Sequence, residues 1–190
     1  PVMGILELLK RLGECHPEPA AVLDLGSTKV QIVQGMAGLP ERFDPLGGHP
    51  MCGNEKASLM HAEADLYCGA VFALTPLPRT TDRARRLALQ MLAAIGSQPL
   101  WLDAEEHDRW VASTSHLPYL VANALAISTP AEAAALVGPG YLSTSRLAGS
   151  YTPMMLDVLK TNRGNILEAL KRFREELEEF EVLLENEDFP

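Results

Sequence analysis

The sequence GAVFALTPLP at residues 69–78 combines a short, continuous apolar run with an end that contains two prolines. Such a run is typical of a strand that is buried on both faces, and neither a helix nor a central strand continues through this proline pair. Thr80-Thr81-Asp82 then opens a helix that we predict to reach about Ile95. A buried strand that leads into a helix is the repeating unit of α/β folds.

Further strand patterns on both sides of this unit extend it into a sheet. Ala20–Leu25 (AAVLDL) predicts a second buried strand, 39–46 (LPERFDPL) is a weaker candidate, and Pro99–Leu102 predicts an edge strand. Strands that alternate with helices pair in parallel. We therefore predict that residues 1–101 form a domain built on a parallel sheet.

Residues 102–190 show helical patterns and no further strand pattern. We predict a helix that opens at Asp103 and is kinked at Pro118, and one long helix from Pro153 to about Asn186. Apolar residues of the last helix alternate in steps of four and three, which is typical of a coiled-coil seam: Ile166, Leu170, Phe173, Leu177, Phe180 and Leu184. The seam either packs on its own domain or, as we favour, pairs across a homodimer. The fold class is therefore α/β followed by all-α.

Composition and charge exclude several classes of protein. The chain has 190 residues, 47% of them hydrophobic, and a formal net charge of −9. This charge argues against nucleic-acid partners and polybasic membrane contacts, because both need clustered Lys and Arg. The apolar runs fall short of the ~20 residues that span a bilayer, and the N-terminus has no signal-peptide pattern, so we predict a cytoplasmic protein. Three cysteines without a CxxC spacing indicate reduced thiols.

Two short stretches place polar side chains where ligands bind in α/β proteins. Glycines and a proline surround His49 in GGHPMCG at 47–53, which predicts a tight loop at the end of a strand. Ser27 follows the strand pattern of Ala20–Leu25, at the carboxyl end where crevices form. From the local pattern alone, Ser27 is equally compatible with an ordinary helix N-cap.

Other polar residues carry weaker signals. His49 and Cys52 have an HxxC spacing that offers two metal ligands, but no second pair has comparable spacing, and we predict no metal site. His107 lies in an acidic helix start, where we predict a surface or capping role. Ser115 and His116 are neighbours in a helix and therefore do not form a nucleophile and its base.

A series of short motifs runs in order along nearly the whole chain. They are DLGSTK at 24–29, HPMCGNE at 49–55, LTP at 74–76, HD at 107–108, SHLPY at 115–119, GPGY at 138–141, SRLAGS at 145–150 and, in the helical tail, Asn162. Together these motifs resemble the prephenate and arogenate dehydrogenase family of tyrosine biosynthesis. The resemblance implies that residues 1–101 are part of a Rossmann-like, dinucleotide-binding domain and that residues 102–190 form an intertwined helical dimerisation and substrate-binding domain, with the active site in the cleft between them.

The resemblance also implies roles for particular residues. His49 matches the catalytic base, which takes the proton of the substrate's ring hydroxyl while hydride leaves the same carbon for NAD or NADP. Ser27 matches the serine beside that base and the nicotinamide, and Arg146 matches the arginine that holds a substrate carboxylate. Further implied substrate contacts are Ser115, His116 and Tyr119, the last standing where many members have a second histidine. Implied cofactor contacts are Ser27, Pro50, Met51 and Gly53.

One family feature, the strand and GxGxxG turn that cradle the cofactor pyrophosphate, has no match in these 190 residues. We therefore expect that about half of a doubly wound domain precedes Pro1, and that the chain alone binds NAD poorly. Two functions stay open. The chain is either the catalytic and dimerisation portion of an NAD(P)-dependent dehydrogenase acting on prephenate or arogenate, or a non-catalytic dimeric remnant that binds a related ligand.

Overall fold

The computed structural model describes residues 1–53, 60 and 62–188. In this part of the chain, four strands and three helices are followed after residue 101 by helical structure alone. The bounds are α1 Val2–Cys15, β1 Ala20–Leu23, α2 Val30–Ala37, β2 Phe43–Pro50, β3 Val71–Pro76, α3 Asp82–Ala94, β4 Gln98–Trp101, α4 Ala104–Val111, α5 Leu117–Ser128, α6 Pro139–Ser145, α7 Thr152–Thr161 and α8 Arg163–Glu185. A π-helical turn at Ala112–His116 joins α4 to α5, and 3-10 turns at Ala131–Leu136 and Arg146–Gly149 flank α6.

The four strands form one sheet in the order β1-β2-β3-β4. The outer pairs, β1 with β2 and β3 with β4, are parallel, whereas β2 and β3 are antiparallel. The prediction of a parallel sheet was therefore wrong for the central pair. Parallel neighbours need a crossover, usually a helix, and the described part of the connection at 51–70 contains no α-helix. The chain instead turns back beside β2.

Strand β2 lies four residues further along the chain than the predicted 39–46. The expected loop around His49 is wrong, because β2 continues to Pro50 and His49 pairs with Ala73 of β3. A Cβ at Gly47 would lie 2.0 Å from the hydroxyl oxygen of Thr75, and one at Gly48 would lie 2.8 Å from the carbonyl oxygen of Asp24. The glycines thus permit close packing around the strand, and they hold His49 on a rigid element.

Helices cover both faces of the sheet. One apolar cluster joins α1 and α2 to the sheet, and a second packs α3 against β2 and β3. The first cluster contains Val2, Leu9, Ile32, Met36, Leu39, Phe43 and Leu77, and the second contains Leu46, Phe72, Leu74, Ala88 and Leu92. The predicted edge strand is confirmed as β4, whose four residues are exposed. Helix α4 lies against β3 and α2 and so begins the helical half directly on the sheet.

The helical half departs from regular α-helix at two places. Near Pro118 the predicted kink takes the form of the π-helical turn, and the proline itself lies in the first turn of α5. A proline ring clashes with the carbonyl four residues earlier in an α-helix, and the wider turn accommodates it. The predicted single helix from Pro153 was wrong, because Asn162 (φ −125°, ψ 25°) separates α7 from α8.

The apolar seam of α8 is buried only at its start. Ile166 is 4% exposed, whereas Leu177, Phe180 and Leu184 are 50%, 60% and 63% exposed. Most of the seam therefore remains open in a single copy of the chain. None of the helices in the described ranges is long and apolar enough to cross a membrane.

Candidate active site

A pair of histidines meets where the sheet joins the helical half. His49 at the end of β2 has its Nδ1 2.9 Å from Nε2 of His107 on α4. The Nδ1 atom of His107 lies in turn 2.8 Å from Oδ1 of Asp108. His107 and Asp108 are each 1% exposed, and His49 is half-buried. The three side chains form one continuous hydrogen-bonded row that ends on the more accessible ring.

The start of α2 anchors the inner end of this row. The backbone N–H of Lys29 donates to Asp108 Oδ1 at 2.6 Å, and that of Val30 donates to Oδ2 at 3.0 Å. These are N–H groups that a helix N-terminus leaves without partners, and the helix dipole favours an anion there. The carboxylate of Asp108 is therefore held in one position by two backbone donors and one imidazole.

A buried ion pair supports the strand that carries His49. The ammonium of Lys29 is fully buried and donates to the Asp24 carboxylate and, at 2.6 Å, to the carbonyl oxygen of Gly48. Asp24 also accepts from the backbone N–H groups of Gly26 (2.8 Å) and Gly48 (2.9 Å). Burial lowers the pKa of Lys29, and the Asp24 carboxylate opposes that shift. The pair ties the end of β1 to the residue directly before His49.

The electrostatic setting of His49 favours its neutral form. Burial lowers the pKa of His49 well below its usual value, and the nearby His107, Lys29 and His116 lower it further. A neutral imidazole has one nitrogen that carries hydrogen and one with a free lone pair. At neutral pH, His49 therefore has one ring nitrogen whose lone pair can accept a hydrogen bond.

Ser27 lies in the turn between β1 and α2 and is half-buried. It does not cap α2, because Lys29 occupies the N-cap position and makes no side-chain capping bond. The N-cap interpretation of Ser27 was therefore wrong. Since β1 and β2 are parallel neighbours with Leu23 opposite Leu46, Ser27 and His49 both lie at the carboxyl edge of the sheet, where α/β proteins bind ligands.

His116 is held behind the site rather than on an open surface. It is 1% exposed, and its Nδ1 lies 3.2 Å from the side-chain nitrogen of Asn162, which also donates to the Asp108 carbonyl oxygen at 2.6 Å. Because the amide nitrogen donates, His116 Nδ1 accepts and its Nε2 carries the hydrogen. That Nε2 is buried without a hydrogen-bond partner among the described residues. Burial lowers the pKa of His116 to about 4.

The remaining predicted contacts lie on both sides of the junction. Ser115 in the π-helical turn and Tyr119 on α5 are half-buried, and Arg146 is exposed at the start of a 3-10 turn that packs on α5. Pro50 ends β2, with the exposed Met51 directly after it and the exposed Gly53 (φ 149°) two residues further. Asn54 and Glu55 of the HPMCGNE motif lie outside the described residues. The roles predicted for these side chains stay predictions.

Sequence reasoning missed the most deeply buried members of the site. The surface or capping role expected for His107 was wrong, since its ring is buried and contacts His49. A signal was present in the pattern of α4 and the first residue after it, where His107 and Asp108 precede Val111 and Ala112 by four residues. Residues four apart share a helix face, and Val111 and Ala112 are themselves buried. The apolar pair therefore indicates that this face points inward.

Polar side chains at the carboxyl edge of an α/β sheet are typical of nucleotide-binding domains, and in this chain a helical half follows that sheet. The prephenate dehydrogenase nucleotide-binding domain matches residues 1–99, and the prephenate dehydrogenase dimerization domain matches residues 103–190. The chain belongs to the prephenate dehydrogenase family.

Individual relatives agree with this assignment. The prephenate dehydrogenase of Bacillus subtilis is 29% identical over 99% of this chain and 53% of its own length. Prephenate dehydrogenase from Aquifex aeolicus superimposes with a TM-score of 0.86 at 30% identity, over 98% of this chain and 68% of that one. Synechocystis arogenate dehydrogenase superimposes with a TM-score of 0.82 at 27% identity, over 100% and 70%. The chain spans about half the length of the curated relatives it matches.

Proposed function

We propose that this chain carries the catalytic base and the dimerisation helices of an NAD(P)-dependent dehydrogenase that acts on prephenate or arogenate. The observation that carries the proposal is the hydrogen bonding of the His49 ring. Its Nδ1 lies 2.9 Å from Nε2 of His107, no hydrogen bond to its own Nε2 is found among the described residues, and burial lowers its pKa and so favours the neutral ring. A lone pair at the carboxyl edge of such a sheet is suited to taking a proton from a bound substrate.

The residues at this edge fit the nicotinamide end of the cofactor. The half-buried Ser27 lies in the turn after β1, and Pro50 and Met51 follow His49 on the neighbouring strand. A structure of the Aquifex aeolicus relative is described as a complex with hydroxyphenyl propionate and NAD+. When bound, a nicotinamide cofactor accepts hydride from the carbon that bears the ring hydroxyl, and loss of the ring carboxylate as carbon dioxide makes the product aromatic.

The chain's own residues supply proton transfer and orientation. His49 Nε2 takes the hydroxyl proton as hydride departs and returns a proton to the phenolic oxygen of the product. Ser27 orients the same hydroxyl. Arg146 holds a substrate carboxylate, a task that its planar guanidinium performs with two parallel hydrogen bonds. Ser115, His116 and Tyr119 line the substrate side, and Gly53 belongs to the cofactor side.

We also propose that the active form is a cytoplasmic homodimer, with residues 1–101 as the partial nucleotide-binding domain and residues 102–190 as the helical domain. The match of the helical half to a dimerisation domain supports this assembly. The open seam of α8 supports it further, because exposed leucine and phenylalanine side chains are stabilised when a second copy covers them.

Turnover tests the base directly. The full-length protein is assayed with prephenate and with arogenate, each with NAD+ and with NADP+, by the appearance of reduced nicotinamide. His49→Asn should lower kcat by roughly 10²–10⁴-fold while the protein stays folded, because general-base catalysis contributes that factor. His16→Asn, at an exposed histidine after α1, is the control and should keep full activity. Near-normal turnover in His49→Asn would show that His49 is not the base.

A binding experiment tests the substrate side and also the non-catalytic alternative. Arg146→Ala should weaken the binding of hydroxyphenylpropionate, measured by calorimetry, by about 2–5 kcal/mol if it pairs with the carboxylate. Arg83→Ala, at an exposed arginine on α3, should leave the affinity unchanged. An unchanged affinity in Arg146→Ala would refute the carboxylate contact. Binding without turnover for any of the four substrate and cofactor pairs would instead favour the ligand-binding remnant.

A further inference from the structure

We propose that His107 and Asp108 are positioning residues that keep the hydrogen of His49 on Nδ1 and thereby make Nε2 the basic atom. This inference rests on the proposed function of His49. Neither the motif series nor the family match gives either residue a part in the reaction. The geometry that carries it is the row of two hydrogen bonds, 2.9 Å and 2.8 Å long, from His49 through His107 to Asp108.

The direction of each hydrogen bond follows from the inner end of the row. Ionised Asp108 only accepts, and its two oxygens already receive the backbone N–H groups of Lys29 and Val30. His107 Nδ1 must therefore donate to Asp108 Oδ1. In a neutral His107, Nε2 then has the lone pair and accepts, so the partner atom, Nδ1 of His49, is the donor. Only Nε2 of His49 is left with a lone pair.

The opposite arrangement would disable the base. If His107 Nε2 carried the hydrogen, it would donate to His49 Nδ1, and the hydrogen of His49 would move to Nε2. A neutral His107 in that state would point a lone pair at the Asp108 carboxylate. Two buried acceptors would then face each other without a hydrogen between them, which is destabilising. A doubly protonated His107 would likewise donate to His49 Nδ1, so the productive tautomer requires a neutral His107, and the two backbone N–H groups that already compensate the Asp108 carboxylate weaken its pull on a second cation. The observed anchoring of Asp108 thus selects the productive tautomer.

The proposed row holds protons and does not conduct them. During the reaction, the substrate O–H bond breaks, a bond from hydrogen to His49 Nε2 forms, and His49 becomes an imidazolium. Its Nδ1–H continues to donate to His107, and the charge of Asp108 stabilises the cation through the intervening ring. His107 and Asp108 keep their own protonation states throughout, as the carboxylate of a Ser-His-Asp triad does. His49 becomes neutral again when it returns the proton to the product oxygen.

The row also joins the two halves of the chain. His49 belongs to the sheet, whereas His107 and Asp108 belong to the first helix of the helical half. Asp108 is fixed by the start of α2, which follows the Ser27 turn. The base is therefore complete only when α4 is packed against α2 and β3.

Substitutions in the row test the positioning role. In Asp108→Asn, one side-chain oxygen would have to serve the three N–H donors of Lys29, Val30 and His107. If the amide NH2 group turned toward His107, it would donate to His107 Nδ1 and so reverse both hydrogen bonds of the row. Asp108→Asn and His107→Phe should each lower kcat by about 10²–10⁴-fold, with little change in the KM of the substrate, since both side chains are buried behind His49. His107→Gln, whose amide both accepts and donates, should recover part of the loss. The matched control is Glu105→Gln at an exposed carboxylate on the same helix, which should have normal kcat.

The tautomer itself is measurable without cofactor or substrate. Heteronuclear NMR of the imidazole nitrogens distinguishes Nδ1–H from Nε2–H rings, and the signal of His49 is identified by its loss in His49→Asn. We expect His49 to carry its hydrogen on Nδ1 in the wild-type protein and to lose this preference in Asp108→Asn. A wild-type His49 with its hydrogen on Nε2 would overturn the proposal, even where a variant fails to fold.

The outcomes separate this inference from the function on which it rests. If His49→Asn loses turnover while folded His107→Phe and Asp108→Asn keep it, the positioning role is wrong and the base stands. If His49→Asn itself keeps turnover, the proposed function of His49 fails, and the row then has no reaction to serve. Loss of kcat in all three variants, with partial recovery in His107→Gln, supports both.

Discussion

The buried lysine beside the candidate base allows a quantitative prediction. The side chain of Lys29 is 0% exposed and that of its partner Asp24 is 3% exposed. In Lys29→Met, a chain of similar length and shape remains, but the Asp24 carboxylate keeps only the backbone N–H groups of Gly26 and Gly48 as partners. The Gly48 carbonyl oxygen also loses the ammonium as a donor.

The size of the effect follows from the unpaired charge. Breaking a buried ion pair on one side costs about 3–5 kcal/mol, mostly because the remaining charge is left without compensation. That is a large part of the 5–15 kcal/mol by which a typical domain is stable. We therefore expect Lys29→Met to lower the free energy of unfolding by about 3–5 kcal/mol. We expect the additional change Asp24→Asn to restore part of the loss, because no isolated charge then remains.

Urea denaturation followed by circular dichroism measures these differences. Lys10→Met is the matched control, since Lys10 is 72% exposed and pairs with Glu7 on the surface of α1. Exposed pairs of this kind contribute about 0–1 kcal/mol. If Lys29→Met costs no more than Lys10→Met, or if the double variant is less stable than Lys29→Met, the reasoning from the buried charge is refuted.

Two further predictions concern acid stability and assembly. Burial lowers the pKa of His116 from about 6.5 to about 4. The neutral ring therefore stabilises the fold fully above pH ~6.5, and this contribution is lost as the pH falls toward about 4. The shift corresponds to about 3 kcal/mol of the free energy of unfolding. Urea denaturation across that range should show a weaker pH dependence in His116→Phe, and equal pH dependence in both proteins would contradict it. Phe180→Glu on the exposed seam should give a monomer by light scattering. The control Val182→Glu should remain dimeric, because Val182 is also apolar and 53% exposed but lies outside the seam. The same mass for both variants would argue against the seam as the interface.

Local patterns in the sequence were sufficient to predict most elements of the fold. Apolar runs correctly indicated β1 and β3, and the Thr81 cap correctly indicated the start of α3, where its hydroxyl accepts from the Ala84 N–H. The direction of pairing between β2 and β3 was not predictable in this way, because it depends on how the chain returns between them. The break at Asn162 was hidden for a related reason. Its backbone leaves the helical region while its side chain bonds Asp108 and His116, which are distant in sequence.

The same distinction applies to the site. His49 and Ser27 could be chosen as candidates because each comes shortly after a predicted strand pattern, and the carboxyl edge of a sheet is predictable from local sequence. The partner of His49 lies 58 residues away, and no local pattern connects the two. Only the packing of α4 on the sheet brings His107 inward.

Packing at this junction limits how the protein can move during a reaction. Besides the His49–His107 bond, the hydrogen bonds that cross between the halves among the described residues include those of Asp108 with the start of α2, Thr28 Oγ1 with Thr161 Oγ1 at 2.8 Å, and the Met3 N–H with Asp157 at 3.1 Å. Separation of α4 from α2 would remove the two backbone donors from the buried Asp108 carboxylate, and an unsatisfied buried charge is costly. It would also release the histidine row and with it the tautomer of His49. Any opening that admits substrate therefore has to occur away from the α2–α4 contact, so that the base stays assembled while the site opens.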